Sequence, residues 1–314
     1  MDVIYSVPKD NKGRETLKHG TALFPCSVFD KDVRQYVTGE IPPHWHPEME
    51  IFLLTEGTAH VSFADGEFDL KPGEGFFANS GVLHGVSNPG RDICHYHSMV
   101  FDVSILSGVP GSAYEILYLR PFMEQGAPYR IFRPDDRQQG EMIAELFSNA
   151  FAACEEEADG YEFWVRSLLS QIFLILKRYS GDVRNRKSSL QELRMKQMIS
   201  WLDEHYMEMI TVGQLADAAG ICVRECQRSF AGILHTSPMQ YLNRRRITAA
   251  AELLISTELS VSEVGFRCGF DNPGYFAKQF RRMTGMTPKK YRLSQGHSSP
   301  RQPITQRDQH RHEG

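Results

Sequence analysis

The stretch PPHWHPEMEIFLLTEG, residues 42–57, places two imidazoles and a carboxylate at short, regular spacing. His44, His46 and Glu50 are all even-numbered, so an extended strand would project them from one face. Imidazole nitrogens and carboxylate oxygens bind divalent first-row metals. The same groups can also line a pocket by hydrogen bonding to a small molecule. The pattern therefore predicts either metal chemistry or a binding pocket.

The elements around this stretch have the pattern of short strands. Between residues 21 and 104, β-branched and aromatic runs are separated by turn signals: VSF, FDL, GFFAN and ICHYHSMVF alternate with ADGE, KPGE, NSG and NPGR. This rhythm predicts an all-β barrel or sandwich. Two helices are then predicted from apolar residues at helical spacing, 141–154 and 161–178, the second with a stripe of Trp164, Leu168, Ile172 and Ile175.

Length and composition exclude several classes of protein. A chain of 314 residues has room for about two domains. No apolar run approaches the ~20 residues that cross a bilayer, and the start MDVIYSVPKDNKGRE lacks a signal-peptide core. The six cysteines form no CxxC pair. We therefore expect a cytoplasmic protein with free thiols and no membrane association.

Charge and apolar content divide the chain. Residues 190–292 carry 14 Lys or Arg against 10 Asp or Glu, a net +4, and residues 293–314 carry 3 against 2. The total of −4 leaves −9 for residues 1–189, so the two halves suit different partners. We expect a flexible arm over 1–20, a linker at 181–189 (GDVRNRKSS) and a disordered tail over 293–314.

The second half contains an internal repeat. TVGQLADAAGI (211–221) aligns with SVSEVGFRCGF (260–270) at an offset of 49. Beyond the turn the offset becomes 50, and Phe230 matches Phe280 there. Each copy opens with a predicted capping box, in which a hydroxyl residue precedes Gln or Glu by three positions: Thr211 with Gln214, and Ser260 with Glu263.

Each copy predicts a helix-turn-helix unit. Gly220 or Gly269 permits a sharp turn after the first helix. The second helix then has apolar residues at i and i+4 on one face and, on the other, side chains suited to base edges and phosphates: Arg224, Gln227 and Arg228 in the first copy, and Lys278, Arg281 and Arg282 in the second.

A single helix is predicted between the copies, over residues 241–255 (YLNRRRITAAAELLI). Its 15 residues would span roughly 22 Å, enough to hold two recognition helices about 34 Å apart, one turn of DNA. Arg244, Arg245 and Arg246 on this helix either contact the DNA backbone or form a solvated face. An all-helical bundle that binds a protein partner is the alternative interpretation of the whole region.

Residues 190–292 closely resemble the DNA-binding domain of the AraC/XylS family of bacterial transcription regulators, most visibly in VSEVGFRCGFDNPGYFAKQFRRMTGMTPKKYR. The resemblance implies that the second helix of each unit binds promoter DNA. The chain departs from the family at Pro273 and Gly274, where hydrogen-bonding side chains are usual, so the second unit is expected mainly to grip phosphates. Cys222 stands where a Ser commonly caps the first recognition helix.

The first half resembles a cupin. Gly39-x4-His44-x-His46-x3-Glu50-x6-Gly57 is similar to the first cupin motif, one residue short in its first gap. A second stretch, Gly73-x5-Asn79-x-Gly81-x2-His84-x3-Asn88, is similar to the second cupin motif, with Asn79 replacing the usual Pro. The resemblance implies that the effector, or a divalent metal, is held by His44, His46, Glu50 and His84. His95 and His97 form a further alternating pair, expected to be solvated or satisfied rather than ligating.

Together these resemblances imply an α+β protein of two domains. Residues 21–180 form a cupin-like β-barrel followed by helices, for sensing and dimerisation, and residues 190–292 form an all-α double helix-turn-helix domain. The function implied is a homodimeric transcriptional regulator controlled by a small-molecule effector such as a carbohydrate, acting on promoter DNA and RNA polymerase. The alternative is a cupin-type metalloenzyme, an isomerase or oxygenase, with an accessory helical domain.

Overall fold

A computed structural model describes residues 7–8, 14–88, 90, 92–135, 139–179 and 190–295. The predicted linker at 181–189, residues 296–314 of the predicted tail, and residues 1–6 and 9–13 of the predicted arm lie outside this part of the chain. The described residues form a β-rich N-terminal domain followed by a helical C-terminal domain, as predicted.

The N-terminal domain is built from two antiparallel sheets. Within the described residues, the strands are β1 (Cys26–Asp32), β2 (Glu40–His44), β3 (Met49–Gly57), β4 (Ala59–Phe63), β5 (Gly66–Leu70), β6 (Gly75–Ala78), β7 (His84–Ser87), β8 (Cys94–Phe101) and β9 (Tyr129–Phe132). Five of them form one sheet in the order β1-β8-β3-β6-β9, and the others form a sheet in the order β2-β7-β4-β5. All predicted strand runs lie in this β-rich domain.

The central part of the five-stranded sheet is buried on both faces. Its inner face packs against the four-stranded sheet, where the Phe52 ring stacks on Phe76 at 4.9 Å and on Tyr96 at 4.7 Å. On its outer face, Ile51 and Met99 belong to a second core formed with the helices that follow the barrel. Burial on both sides explains why β3 is continuously apolar from Ile51 to Leu54 instead of alternating.

The helices of this domain form a hairpin on the sheet. They are α1 (Ser104–Ser107), a π-helical turn (Glu115–Leu119), α2 (Arg120–Gln125), α3 (Gln139–Glu156) and α4 (Tyr161–Tyr179). Helices α3 and α4 confirm the two predicted helices. The predicted stripe of α4 was wrong at Trp164 alone, because Ile172 is buried in the core and Leu168 and Ile175 pack against it, partly buried. The fully buried positions of α4 are Val165, Leu169, Ile172 and Leu176. Trp164 and Phe163 instead lie on an outward face, 66% and 79% exposed.

The C-terminal domain contains both predicted helix-turn-helix units. Its helices are α5 (Leu190–His205), α6 (Val212–Ala218), α7 (Val223–Ile233), α8 (Pro238–Ser256), α9 (Val261–Arg267), α10 (Pro273–Thr284) and α11 (Pro288–Gln295). Helices α6–α7 and α9–α10 are the two units. Helix α8 joins them and is longer than predicted, about 28 Å over 19 residues, because Ser237 caps it before Pro238. Helix α11 extends three residues into the predicted tail. No described helix is long and apolar enough to cross a bilayer.

Only one of the two predicted capping boxes is complete. Thr211 and Gln214 bond reciprocally at the start of α6. At the start of α9, Ser260 accepts a hydrogen bond from the Glu263 N–H at 3.1 Å. The Glu263 carboxylate does not return the contact, because it pairs with Arg267 at 3.2 Å. Cys222 provides no side-chain cap to α7, as its replacement of a Ser predicted.

The arginines of α8 have separate roles. Arg246 is buried and donates to the carbonyls of Tyr206 at 2.7 Å and Glu208 at 2.6 Å. Arg245 donates to Asp203 at 3.1 Å. Both tie α8 to α5 and the loop after it, so neither of the two interpretations made from sequence fits them.

Residues of the barrel also contact the C-terminal domain. Trp45 and Leu83 pack with the hydrophobic core around α5. The Lys196 ammonium of α5 donates to the Gly81 carbonyl at 2.5 Å and lies 5.6 Å from the centre of the Trp45 ring. Arg244 of α8 pairs with Glu40 at 3.0 Å. Apolar packing, a hydrogen bond and an ion pair therefore join the two domains.

The turn glycines provide a matched stability test. Gly220 and Gly269 both have positive φ, +62° and +84°, a conformation that costs an L-residue about 1–2 kcal/mol. A Cβ on Gly220 meets nothing within 4 Å, whereas one on Gly269 would lie 2.7 Å from the Tyr206 carbonyl oxygen. We expect Gly220→Ala to lower the free energy of unfolding by about 1–2 kcal/mol and Gly269→Ala to lower it by about 1–3 kcal/mol more. Urea unfolding followed by circular dichroism measures both; equal losses would contradict the steric argument.

Candidate functional site

Four predicted side chains meet inside the barrel. His44 ends β2, His46 follows in the next loop, Glu50 lies on β3 and His84 begins β7. All four are buried, and their ligand atoms lie within 4.8 Å of one another. The fold thus brings together residues from both sheets, and we call this group the barrel cluster.

Backbone carbonyls orient the three imidazoles. The Nδ1 atom lies 2.9 Å from the Pro42 carbonyl in His44, 3.2 Å from the Glu48 carbonyl in His46, and 2.9 Å from the Val82 carbonyl in His84. A carbonyl only accepts, so each Nδ1 carries the proton and donates it. Each Nε2 is left for the centre of the cluster, the arrangement by which second-shell groups orient histidine ligands.

Glu50 is the electrostatic centre of the barrel cluster. Its Oε2 lies 3.2 Å from Nε2 of His46 and 2.9 Å from Nε2 of His84, and its Oε1 accepts from the Ser98 hydroxyl at 2.6 Å. Burial raises the pKa of Glu50, but the bonds from His46 and His84 outweigh it and hold this pKa well below the ordinary range. The carboxylate is therefore charged at neutral pH.

The pKa values of His84 and His44 shift in opposite directions when no cation is bound. Burial lowers the pKa of His84, but the Glu50 carboxylate outweighs burial and raises it. Burial, helped by the charge of His84, lowers the pKa of His44 to about 3. An Nε2 lone pair facing a carboxylate oxygen at 2.9 Å is repulsive, so a proton or a metal cation must lie between Glu50 and His84.

The N-terminal segment adds two residues that the sequence interpretation missed. Glu15 lies in a short segment that forms a β-bridge to Trp45, and its N–H donates to the Trp45 carbonyl. The Oε2 of Glu15 lies 3.7 Å from Nε2 of His44 and 3.8 Å from Nε2 of His19. His19 is buried, and neither of its ring nitrogens has a hydrogen-bond partner within the part of the chain that the structure describes. This part of the predicted arm, residues 14–20, therefore lies against the barrel cluster.

The sequence carried a signal for only one of the missed residues. Ser98 is the polar member of an otherwise apolar inward face on β8, since Tyr96 and Val100 occupy the same alternation. Glu15 and His19 lie in a polar segment without periodicity, so no local pattern assigned them to the cluster.

The donor set of the barrel cluster fits a divalent first-row metal. Three imidazole nitrogens and one carboxylate suit Zn²⁺, Fe²⁺ or Mn²⁺-type ions. At metal–ligand bonds of ~2.0–2.1 Å, tetrahedral ligands lie about 3.3 Å apart, close to the 2.9 Å and 3.2 Å from Glu50 to His84 and His46. The backbone carbonyls that accept from each Nδ1 leave Nε2 of each ring available to a metal, which also fits this donor set.

The six predicted DNA-binding side chains lie on the recognition helices and are exposed. Cys226 and Phe230 on α7, and Phe276 and Phe280 on α10, face the core as predicted. The opposite faces present Arg224, Gln227 and Arg228 on α7, and Lys278, Arg281 and Arg282 on α10. Pro273 and Gly274 occupy the exposed first turn of α10.

Tyr275 is a further exposed residue of α10 that the sequence interpretation passed over. It follows Pro273 and Gly274 and is 44% exposed. Its hydroxyl accepts a hydrogen bond from the Asn243 side chain of α8 at 3.2 Å. The first turn of α10 therefore exposes a Tyr ring that α8 holds in place, in addition to Pro273 and Gly274, whose side chains cannot form hydrogen bonds.

Two family models match the chain. The model of an AraC-like ligand-binding domain matches residues 34–173, and that of a helix-turn-helix domain matches residues 215–294. The first covers the barrel cluster together with α3 and most of α4. The second covers both recognition helices.

Similar curated proteins extend over nearly the whole chain. An uncharacterized HTH-type transcriptional regulator of Bacillus subtilis, YdeC, is 27% identical over 286 residues, covering 90% of this chain and 97% of the relative. The HTH-type transcriptional activator RhaS of Escherichia coli O1:K1 is 24% identical over 285 residues, covering 88% and 97%. A crystal structure of the DNA-binding domain of AdpA with a target DNA is 33% identical, covers 32% of this chain and 92% of that one, and has a TM-score of 0.32.

Removing the charge of Glu50 tests the electrostatics of the barrel cluster. In metal-free protein, the raised pKa of His84 stabilises the fold fully below the ordinary histidine value of about 6.5, and this contribution is lost as pH rises through the raised value. In Glu50→Gln the largest raising influence is lost while burial and the weaker raising effects of the Val82 carbonyl and Glu15 remain, so we expect His84 to titrate at lower pH than in the wild type. Histidine NMR titration in chelator-treated protein measures the change.

His60 is the internal control for that titration. Although burial lowers its pKa, hydrogen bonds to Asp69 and Glu67 raise it, and neither partner belongs to the barrel cluster. Its titration should be the same in both proteins. An unchanged His84 titration in Glu50→Gln would contradict the assigned role of Glu50.

Proposed function

This chain belongs to the AraC family of DNA-binding transcriptional regulators, and we propose that a small molecule bound at the barrel cluster controls its binding to promoter DNA. The observation that supports this proposal is the position of the cluster. Four buried donors lie beside the residues that contact the DNA-binding domain. A ligand at the cluster can therefore favour one arrangement of the two domains over another.

The metalloenzyme alternative is wrong. The matched families are a ligand-binding domain and a helix-turn-helix domain, and the curated relatives are transcriptional regulators over nearly their whole length. The chain is therefore a regulator and not an enzyme. The barrel cluster has to be explained as a binding site instead of a catalytic centre.

Strand alternation connects the cluster to the DNA-binding domain. Trp45 stands between His44 and His46 and packs toward α5 while the histidines point inward. Leu83 precedes His84 and packs in the same interdomain core. Because neighbouring residues share one backbone, a ligand that shifts the imidazoles also shifts the side chains that contact α5. We propose this route in addition to the predicted movement of the 141–178 helices and the N-terminal arm.

A divalent metal is the second part of the proposal. The ligands would be His44, His46, Glu50 and His84, whose donors fit it. A bound metal that took a fifth ligand would bind an oxygen of the effector. Glu15 and His19 lie on the other side of His44 and would offer hydrogen bonds to a hydroxyl-rich ligand. This polar lining supports the predicted carbohydrate as the class of effector.

The proposed partners follow from two exposed surfaces. The basic faces of α7 and α10 would contact promoter DNA. Arg224, Gln227 and Arg228 would contact bases or phosphates, and the second unit would contact mainly phosphates.

The outward face of α4, with Phe163 and Trp164, would pair with a second copy in a homodimer. Contact with RNA polymerase, and a location in the cytoplasm with the DNA, complete the proposal.

The recognition role of α7 is tested by Arg228→Ala. We expect it to weaken binding to the promoter upstream of the gene by about 1–3 kcal/mol if the guanidinium contacts a base. Arg267→Ala is the matched control, because it removes the same charge from an exposed site on α9 of the same domain. Fluorescence anisotropy at several salt concentrations measures both; equal losses in the two variants would contradict a specific contact.

The sensing role of the barrel cluster is tested by His46→Ala. We expect this variant to lose the thermal shift that the wild type shows with one member of a panel of pentoses, hexoses and sugar acids, and to keep wild-type affinity for the promoter fragment. His60→Ala, which changes an exposed histidine outside the cluster, should keep both properties. A thermal shift retained by His46→Ala would show that the ligand binds elsewhere.

A further inference from the structure

A second group of potential ligands lies on the outer face of the five-stranded sheet. Asp30 on β1 is paired in register with His97 on β8, and His95 stands two residues before His97 on the same face. The barrel cluster lies on the other face, where Ser98 of the same strand bonds Glu50. From this geometry we infer that Asp30, His95 and His97 form a binding site for a zinc-class divalent metal, separate from the barrel cluster.

The distances between the ligand atoms fit one metal ion. Nε2 of His95 lies 3.0 Å from Oδ1 of Asp30, and Nε2 of His97 lies 3.6 Å from the same oxygen. All three ligand atoms lie within 4.8 Å of one another. These values bracket the separation of about 3.3 Å for tetrahedral ligands with bonds of ~2.0–2.1 Å.

Thr55 fixes the tautomer of His95. The Thr55 hydroxyl donates its single hydrogen to the His95 carbonyl at 2.9 Å, so it accepts from Nδ1 of the His95 ring at 2.9 Å. Nδ1 therefore carries the proton, and the Nε2 lone pair points at Asp30. That lone pair would repel a carboxylate oxygen at 3.0 Å unless a proton or a metal cation lies between them, and Thr55 is placed to orient the ring for a metal.

The ring of His97 is fixed from the other side. It stacks on Phe151 of α3, with ring centroids 4.1 Å apart and planes at 4°. Phe151 belongs to the core that seats α3 on the sheet. A metal at this site would therefore tie β1 to β8 and hold the ring on which α3 rests.

The ligand types select the class of metal. Two imidazoles and one carboxylate suit Zn²⁺ and neighbouring first-row ions, whereas Mg²⁺ and Ca²⁺ prefer oxygen ligands alone. The side chains are 28–47% exposed, so the ion can enter from solvent and water can complete its coordination.

The site is tested by Zn²⁺ titration of the full chain in a background that disables the barrel cluster without leaving its carboxylate uncompensated, Glu50→Gln with His46→Gln. We expect calorimetry to find one Zn²⁺ site in this background, and Asp30→Asn or His95→Gln to weaken it at least about 10-fold. Thr55→Val keeps all three ligands and should weaken binding about 10-fold through the lost orientation of His95. Co²⁺ absorption in the same proteins reports the change in coordination directly.

His60→Gln is the matched control, since His60 is an exposed histidine that also lies beside two carboxylates, Glu67 and Asp69, on the other sheet. It should leave the Zn²⁺ affinity unchanged. Histidines elsewhere in the chain are common to all variants and cancel in the comparison. Equal Zn²⁺ affinity with and without Asp30→Asn, or no Zn²⁺ binding in the background variant, would overturn the site. Either result leaves the assignment of the chain as a regulator intact, because the assay measures Zn²⁺ binding and not DNA binding.

Discussion

The sensor domain depends on one buried charge, the carboxylate of Glu50. An unpaired carboxylate in a protein interior is strongly disfavoured, so the fold has to bring compensating groups to it. His46, His84 and Ser98 supply them from the β2–β3 loop, β7 and β8. Because these elements belong to different sheets, satisfying Glu50 also fixes how the two sheets face each other.

The same constraint would let the proposed ligand act on the barrel. A proton shared with His84 and a divalent metal are alternative ways to neutralise Glu50, and they place different demands on the surrounding imidazoles. Those imidazoles alternate along the chain with Trp45 and Leu83, which contact the C-terminal domain. The same short segments therefore supply the imidazoles that neutralise Glu50 inside the barrel and the apolar side chains that pack outside it. A change in one set affects the other.

Features set by local spacing could be predicted from the sequence. The barrel cluster follows from strand alternation and two motifs, and the paired helix-turn-helix units follow from the repeat, so the fold and the meeting of these four side chains were predicted. Glu15, His19 and the pairing of Asp30 with His97 depend on which distant segments become neighbours, which no local pattern states. The capping error at Ser260 arose because the Glu263 carboxylate pairs with Arg267 instead of with the Ser260 N–H. On α4, the apolar face is wider than one stripe, and the sheet covers Val165, Leu169, Ile172 and Leu176 most fully.

The two recognition helices are not equivalent, and α8 explains how they can still act together. Arg246 donates from the middle of α8 to the carbonyls of Tyr206 and Glu208, and Tyr206 lies beside the turn at Gly269. A buried guanidinium held by two carbonyls cannot shift without losing charge-assisted hydrogen bonds worth more than neutral ones. It therefore fixes the second unit relative to α5 and the first. With the geometry fixed in this way, the proposed division of roles becomes possible. The second unit would hold the DNA backbone, while the first unit, with Arg224, Gln227 and Arg228, would discriminate bases.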